Sequence, residues 1–433
     1  MKNKKALLAL LSILPLVSAC GSTASSSKPS SNPSATASTS SNQKAMQISL
    51  WESHAGGPVA NAMAAIVKKF NHSQNHVVLK LNITKASKKA MAAVVAHHPP
   101  LFAEISHYDN PFIKAHALMN LDAMMKTLGF QAKAFYPGVW LNGEFQGVHY
   151  RFPADTKVEE FFYNKSLFKK ANIKSTPKTW NQLAVDLKKL QPLHVIPMAF
   201  KDSSAHILSA FIANGGHFYS NNKHSSVNFN NAAGKTTFTY FANLYSKKRM
   251  ILAHGANIRA DFGAQKLAIA DGTSAGYQKI LSSANGKFKV GAFALPAGTS
   301  GHAGNIIQGL GFVIFTGHSK QQQKAALQFV KYFNSPAIQA YWAMHSGFAP
   351  NSLASAAAIS KTWLKSHPGE AVSIHILSAT GTLPRPNNYN YKEVNSALDT
   401  AFFQAVTGKT STAKALASLN KKANAYLSGQ SKL

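Results

Sequence analysis

Carboxylates are what this chain lacks most. Its 433 residues hold 15 Asp and Glu against 46 Lys and Arg, a formal net charge of +31 with the 18 His counted as neutral. Charged residues make up 14% of the chain, against about a quarter in a typical domain, so the imbalance comes from missing acids rather than added bases. A basic surface can meet nucleic acid, anionic lipid or an acidic polymer. Here the basic residues are spread without a dense cluster and the amino terminus reads as a secretory signal, so no nucleic-acid partner is expected. The preferred reading is an acidic surrounding medium. Carboxylates paired in the folded state lose their stabilising effect as pH falls through their folded pKa, and a protein working in acid gains little from them. Cysteine is nearly absent too: Cys20 stands alone, which excludes any intramolecular disulfide.

The ends of the chain follow from composition. Residues 1–20, MKNKKALLALLSILPLVSAC, join a basic start to an apolar run from Ala6 to Val17. That run is too short and too abruptly ended for a membrane-spanning helix and reads as a signal peptide. Val17, Ser18, Ala19 and Cys20 resemble a bacterial lipobox, in which the cysteine becomes the lipidated first residue. This implies a lipid-anchored protein on the extracellular face of the cytoplasmic membrane. Residues 21–45, rich in Ser, Thr, Ala, Pro and Asn, cannot bury enough apolar surface to order themselves and read as a flexible tether. The remaining length is enough for two domains.

Residues 47–83 read as strand, loop, helix and strand in one pass. Ile48 and Leu50 begin it; Glu52, Ser53, His54, Gly56 and Gly57 break it; Pro58 suits a first helical turn. Val59, Met63, Ile66, Val67 and Phe70 then fall at helical spacing, and Val77, Leu79 and Leu81 alternate. Ligands in open α/β sheets bind outside the carboxyl ends of strands, which makes Trp51, Glu52, Ser53 and His54 candidates.

Four stretches in order, WES-x-x-GG with its helix ending KKFN, ADTKVEEFFYNKSLFKKANI, STPKTWNQL, and Ala325 to Pro350 containing YWAMHSGFAP, resemble the extracellular solute-binding proteins of ABC importers, of the maltose-binding and glycerol-3-phosphate-binding type. The resemblance implies an α/β, two-lobed periplasmic-binding-protein fold of type II, its lobes made of discontinuous segments joined by a three-segment hinge. It sets lobe 1 at residues 46–157 and 311–347, and lobe 2 at 158–310 and 348–433, with crossings near 157, 310 and 348. It further implies capture of a carbohydrate or a polyol derivative such as glycerol 3-phosphate, delivery to an ABC permease by hinge closure, no catalysis, no cofactor and a monomer.

Along the rest of the chain, Leu101–Ile105 reads as a strand ending near Tyr108 and Asp109, and residues 112–128 carry a helical pattern. His97 and His98 lack a carboxylate or cysteine at ligand spacing, and no metal site is expected. Gln146–Phe152 and Val158–Tyr163 read as strands around Asp155 and Thr156, which the resemblance places at the first crossing. Glu159 and Glu160 belong either in the cleft or in a salt-bridged surface pair. Thr176 followed by Pro177 reads as a helix start, and residues 363–377 carry helical patterning.

Gly272 to Gly276, GTSAG, sits between a strand and a helix beginning at Tyr277 and matches a nucleophile elbow, so a secreted serine hydrolase acting through Ser274 is the alternative reading. The acid-then-histidine order that should follow is missing: His375 is the last histidine, and Glu370 is the only acid between it and Ser274. Small residues at a helix start also let polar or anionic oxygens approach free N–H groups. A basic surface adhesin without a small-molecule site is a third reading. Under the resemblance, Trp51, Glu52, Ser53, Tyr108, Asp109, Asp155, Thr156, Ser274, Tyr277, Gly309 and Phe348 meet in one cleft, and Arg385, on a proline-rich late loop, is the basic candidate for a phosphorylated ligand. Trp51 and Glu52 lead the set, since sugars favour an aromatic plane beside a carboxylate.

Overall fold

The computed structural model describes residues 45–106, 110–221, 224–253, 257–388 and 390–429. The signal peptide, Cys20, nearly all of the tether, Tyr108 and Asp109 lie outside the described residues. The strands in chain order are β1 (Met46–Glu52), β2 (Val77–Ile83), β3 (Phe102–Ile105), β4 (Glu144–Phe145), β5 (Val148–His149), β6 (Phe152–Pro153) and β7 (Glu159–Asn164). They continue with β8 (Ile196–Phe200), β9 (Ile251–Leu252), β10 (Leu267–Thr273), β11 (Val290–Ala294), β12 (Asn305–Ile306), β13 (Gly311–Ile314) and β14 (Thr382–Leu383).

Two mixed sheets define two α/β lobes. The first is ordered β2-β1-β3-β13-β6 and the second β11-β7-β10-β8-β9. Ile48, Leu50 and Glu52 alternate inward along β1, which pairs in parallel with β2 from Met46 opposite Val77 to Glu52 opposite Ile83. The helix Gly57–Ser73 starts at Pro58 and buries Met63, Ile66, Val67 and Phe70, the face its spacing predicted. β13 arrives from more than 150 residues further on and pairs antiparallel with both β3 and β6. In the second sheet β7 runs antiparallel to β10 and β11, while β8, β9 and β10 are parallel.

Each sheet has its own core. In the first lobe Leu50, Phe70, Phe102, Phe312, Phe329 and Trp342 pack together; in the second, Phe161, Trp180, Phe200, Phe241 and Phe402 do so. A fully buried side chain of this size contributes about 1.5–3 kcal/mol. Three segments then run side by side between the sheets. Lys157 and Gln308 exchange backbone hydrogen bonds at 2.9 Å, Asp155 N–H donates to Leu310 O at 3.1 Å, and Ala349 N–H donates to Thr156 O at 2.7 Å.

Several local expectations are corrected. The pattern over 112–128 forms two short helices, Asn110–Lys114 and Asp122–Thr127. Between them Leu118 pairs with Phe315 as an isolated bridge, and sheet edge wins over helix periodicity. Gln146–Phe152 is not one strand, because Gln146 and Gly147 turn the chain at φ 52° and 81°. Thr176 caps nothing. Thr179 does, through a reciprocal capping box with Gln182 at the start of Trp180–Leu190. Pro368 splits 363–377 into Lys361–Ser366 and Pro368–Leu377. Glu159 and Glu160 are not a surface pair, since both are completely buried.

Candidate functional site

At the carboxyl end of β1 the chain leaves the sheet and turns back on itself. His54 N–H donates to Glu52 Oε1 at 2.9 Å, and the His54 ring contacts the same carboxylate through Nδ1. Nδ1 also stands 3.3 Å from Glu104 Oε2, on the neighbouring strand β3, while Nε2 stands 3.4 Å from Asp155 Oδ2 in the hinge. Phe348 meets the same ring edge-on, with centroids 6.0 Å apart, and is itself stacked on Trp342. Three of the expected residues, Glu52, Asp155 and Phe348, therefore converge on His54.

Burial sets the electrostatics of this cluster. It pushes the Glu104 carboxyl up, and pushes Asp155 well above the usual carboxylate range with Glu104 adding to the effect. For His54 burial acts downward, but the contacts to Glu104 and Glu52 outweigh it and hold the imidazole up to about 11. Glu52, His54 and Glu104 also present one ligand atom each within 4.8 Å of one another, a spacing that could hold a metal ion.

The second lobe carries its own buried acid and histidine. Asp271 on β10 accepts from Lys201 N–H at 2.9 Å and contacts His206 Nδ1 at 2.8 Å. Glu159 Oε1 accepts from Gln308 Nε2 at 3.0 Å, and burial raises its carboxyl to about 7. Between the two clusters lies Lys157. Burial lowers its ammonium; Asp155 opposes this, and the nearby positive charges of Arg385 and Lys201 reinforce it.

Arg385 lines a cleft of about 790 Å³. The β4–β5 hairpin contributes Glu144 and Gln146 to its lining, which also includes Phe218, Tyr219 and Ile306. Arg385 Nε donates to Tyr391 Oη at 2.6 Å, which fixes the guanidinium's stem. Tyr219 Oη donates to Asn387 O at 3.0 Å, and its ring stacks on His224 at 4.2 Å.

The other expected residues are placed elsewhere. Trp51 is half-buried among Ala103, Ile105 and Phe112, on the opposite side of β1 from Glu52, because successive strand residues alternate. Its indole packs rather than facing the acid cluster. Tyr277 is buried and stacked on Phe162 at 5.6 Å, inside the second lobe. Ser274 is buried in a turn against the hinge, where its Oγ accepts weakly from Val158 N–H at 3.4 Å. Ser53 Oγ accepts from Ala86 N–H at 3.2 Å. Thr156 and Gly309 are hinge residues, and Gly309 holds φ +142° with its α-carbon facing the Asp155 carbonyl.

Glu104, Lys157, Lys201 and His206 were not among the residues expected from the sequence. Glu104 had a usable signal, since an acid inside an apolar strand is rare in a chain so short of acids. The lysines had none among 46 basic residues.

Two lobes joined by three side-by-side segments, with polar groups between them, are the architecture of a solute receptor, and the comparisons give its family. Residues 65–369 match the family described as Bacterial extracellular solute-binding protein, and the chain belongs to it. The sn-glycerol-3-phosphate-binding periplasmic protein UgpB of Brucella abortus is 23% identical over 401 residues, covering 83% of this chain and 88% of that protein. Among solved structures, UgpB from Mycobacterium tuberculosis in complex with glycerophosphocholine is similar with a TM-score of 0.75 and 19% identity, covering 89% of this chain and 99% of its own. The sugar-binding protein MalE from Xanthomonas citri reaches a TM-score of 0.79 at 16% identity, covering 89% of this chain and 98% of its own. The family is one of transport receptors rather than enzymes, so the hydrolase reading of GTSAG falls away.

Proposed function

We propose that this chain captures a polyol or sugar derivative bearing an anionic group, phosphate above all, outside the membrane and delivers it to an ABC permease. The observation that carries this reading is the position of Arg385 on the wall of a cleft of about 790 Å³, with Lys157 and Lys201 close enough to act on one another. A guanidinium matches the paired oxygens of a phosphate, and partial desolvation strengthens the contact. Relatives named for glycerol phosphate and glycerophosphocholine support the same class of solute. Contacts from both lobes would favour the closed state.

A neutral oligosaccharide is the second reading, supported by Phe218 and Tyr219 on the cleft wall and by a volume within the usual range for ligand pockets. Under either reading Glu52, Asp155, Thr156, Gly309 and Phe348 belong to the hinge-side wall, and the lobes divide near residues 157, 310 and 348. A thermal-shift screen of sn-glycerol 3-phosphate, glycerophosphodiesters, maltose and maltotriose decides between them. Stabilisation by the phosphorylated set alone supports the first reading, and stabilisation by the neutral sugars alone supports the second.

Attachment completes the proposal. Cys20 follows small residues at the end of an apolar run and precedes a polar tether, so acylation there would hold the receptor beside its permease. One acyl chain binds a membrane only marginally and stable anchoring takes more than one. The Cys20→Ser variant is expected in the soluble fraction of fractionated cells; retention at the membrane equal to that of the parent would defeat the anchor.

A further inference from the structure

The cluster around His54 gathers three buried carboxyl groups about one imidazole. Glu52 and Glu104 are wholly buried and Asp155 is 3% exposed, so water reaches their oxygens poorly. Oε2 of Glu52, both carboxylate oxygens of Glu104 and both of Asp155 make no hydrogen bond among the described residues. The His54 ring stands 3.3 Å from Glu104 and 3.4 Å from Asp155, and the Glu104 and Asp155 carboxyls are close enough to act on one another. Buried carboxyl oxygens without hydrogen-bond partners are costly, and a single imidazole stands among the three groups.

The two ring nitrogens face different partners, and this suggests a role for each. Nδ1 points to Glu52 and Glu104, whose ligand atoms lie with it inside 4.8 Å. Nε2 points to Asp155. With Nε2–H directed at Asp155, a metal ion that takes the place of the Nδ1 proton would sit between two glutamates, the way metal-binding histidines are held by a carboxylate behind the ring.

We propose that Glu52, Glu104 and His54 Nδ1 bind one divalent first-row transition cation, Zn²⁺ or Mn²⁺, with Asp155 as the residue that positions the ring. An imidazole with two carboxylates suits these ions, whereas Mg²⁺ and Ca²⁺ favour sets made of oxygen alone. Three protein ligands leave a coordination position open. His54, with 19% of its side chain exposed, is the member of the set that reaches solvent, so the open position can take water or a solute oxygen. Spacing along the chain hides this set because its members come from β1 and its loop, from β3 and from the hinge. The inference does not depend on which solute the cleft takes.

The test is calorimetric titration of the full chain, stripped with EDTA and free of solute, with ZnCl₂, MnCl₂ and MgCl₂ in turn at neutral pH. One equivalent of Zn²⁺ or Mn²⁺ is expected to bind, and Mg²⁺ is not. Asp155→Asn should weaken that binding by about 10–100-fold, the usual effect of removing a carboxylate behind a ligating imidazole, while Glu104→Gln removes the stoichiometric event. Because 18 histidines offer weak sites elsewhere, the variants decide. Affinity unchanged in Glu104→Gln, or no stoichiometric binding of either ion by the parent, overturns the proposal. Should Glu104→Gln lose its cooperative melting transition, His54→Gln, at a partly exposed position, takes its place with the same expectation.

Discussion

Glu159 shows how a single buried acid shapes this protein's response to pH. It is completely buried on β7, its pKa is raised to about 7 chiefly by burial, and it keeps Gln308 and His206 as neighbours. A carboxyl whose folded pKa lies above its unfolded value holds its proton more tightly in the folded state. Its contribution is fully present below about pH 4.5 and is lost as pH rises through 7. A rise of this size corresponds to about 3 kcal/mol. Unfolding free energy of the metal-free protein should therefore increase from pH 7 to pH 5, and Glu159→Gln should flatten that increase by about 2–3 kcal/mol; denaturant melts at the two pH values measure it, and an unchanged slope in the variant would refute the assignment. Trp51 carries the opposite kind of lesson. Its indole is half-buried against Ile105 and Phe112, so Trp51→Ala should lower the stability of the ligand-free protein by about 2–4 kcal/mol. A calorimetric scan that leaves the melting temperature of the apo protein in place would return Trp51 to the ligand site.

The elements most legible in the sequence were those with strong periodicity and clear ends. The helix Gly57–Ser73, with Pro58 at its start and an apolar face from Met63 to Phe70, needed nothing beyond its own residues. What could not be read were elements decided by distant partners. Leu118 leaves a helical pattern because Phe315, nearly 200 residues away, offers it a strand edge. β13 is hydrophobic enough for either lobe, and only its pairing with β3 and β6 assigns it. The hinge is another such element. Gly309 there combines φ +142° with a position where a β-carbon would collide with the Asp155 carbonyl oxygen. Gly309→Ala should cost about 3 kcal/mol or more, since both backbone strain and the collision must be relieved. Urea denaturation checks this, and a loss below about 1 kcal/mol would show that the hinge relaxes freely.

At the scale of the whole molecule, the scarcity of acids has a structural counterpart. Of the 15 acidic side chains, Glu52, Glu104, Asp155, Glu159, Glu160, Asp186, Asp271 and Glu370 are buried. The acids that remain are thus concentrated inside, on strands and helices alike, and the surface is left basic. Burial raises Glu160 and Glu370 as it raises Glu159. Such groups are neutral in acid, while self-repulsion grows as histidines charge. Their number was plain in the sequence; their placement was not, because Glu104 and Asp155 reach His54 only once β1, β3 and the hinge have assembled. The two lobes matter for function because a solute that touches both shifts the hinge toward closure. The central claim is that this closure is driven by an anionic polyol held at Arg385. Isothermal titration of the parent chain and Arg385→Ala with sn-glycerol 3-phosphate, a glycerophosphodiester and maltose tests it most directly. The account predicts that a phosphorylated ligand binds the parent and that Arg385→Ala weakens it by about 10–100-fold, as the loss of one charge-assisted hydrogen bond does. Binding of maltose alone, or equal affinity of parent and Arg385→Ala for the phosphorylated ligand, would contradict it.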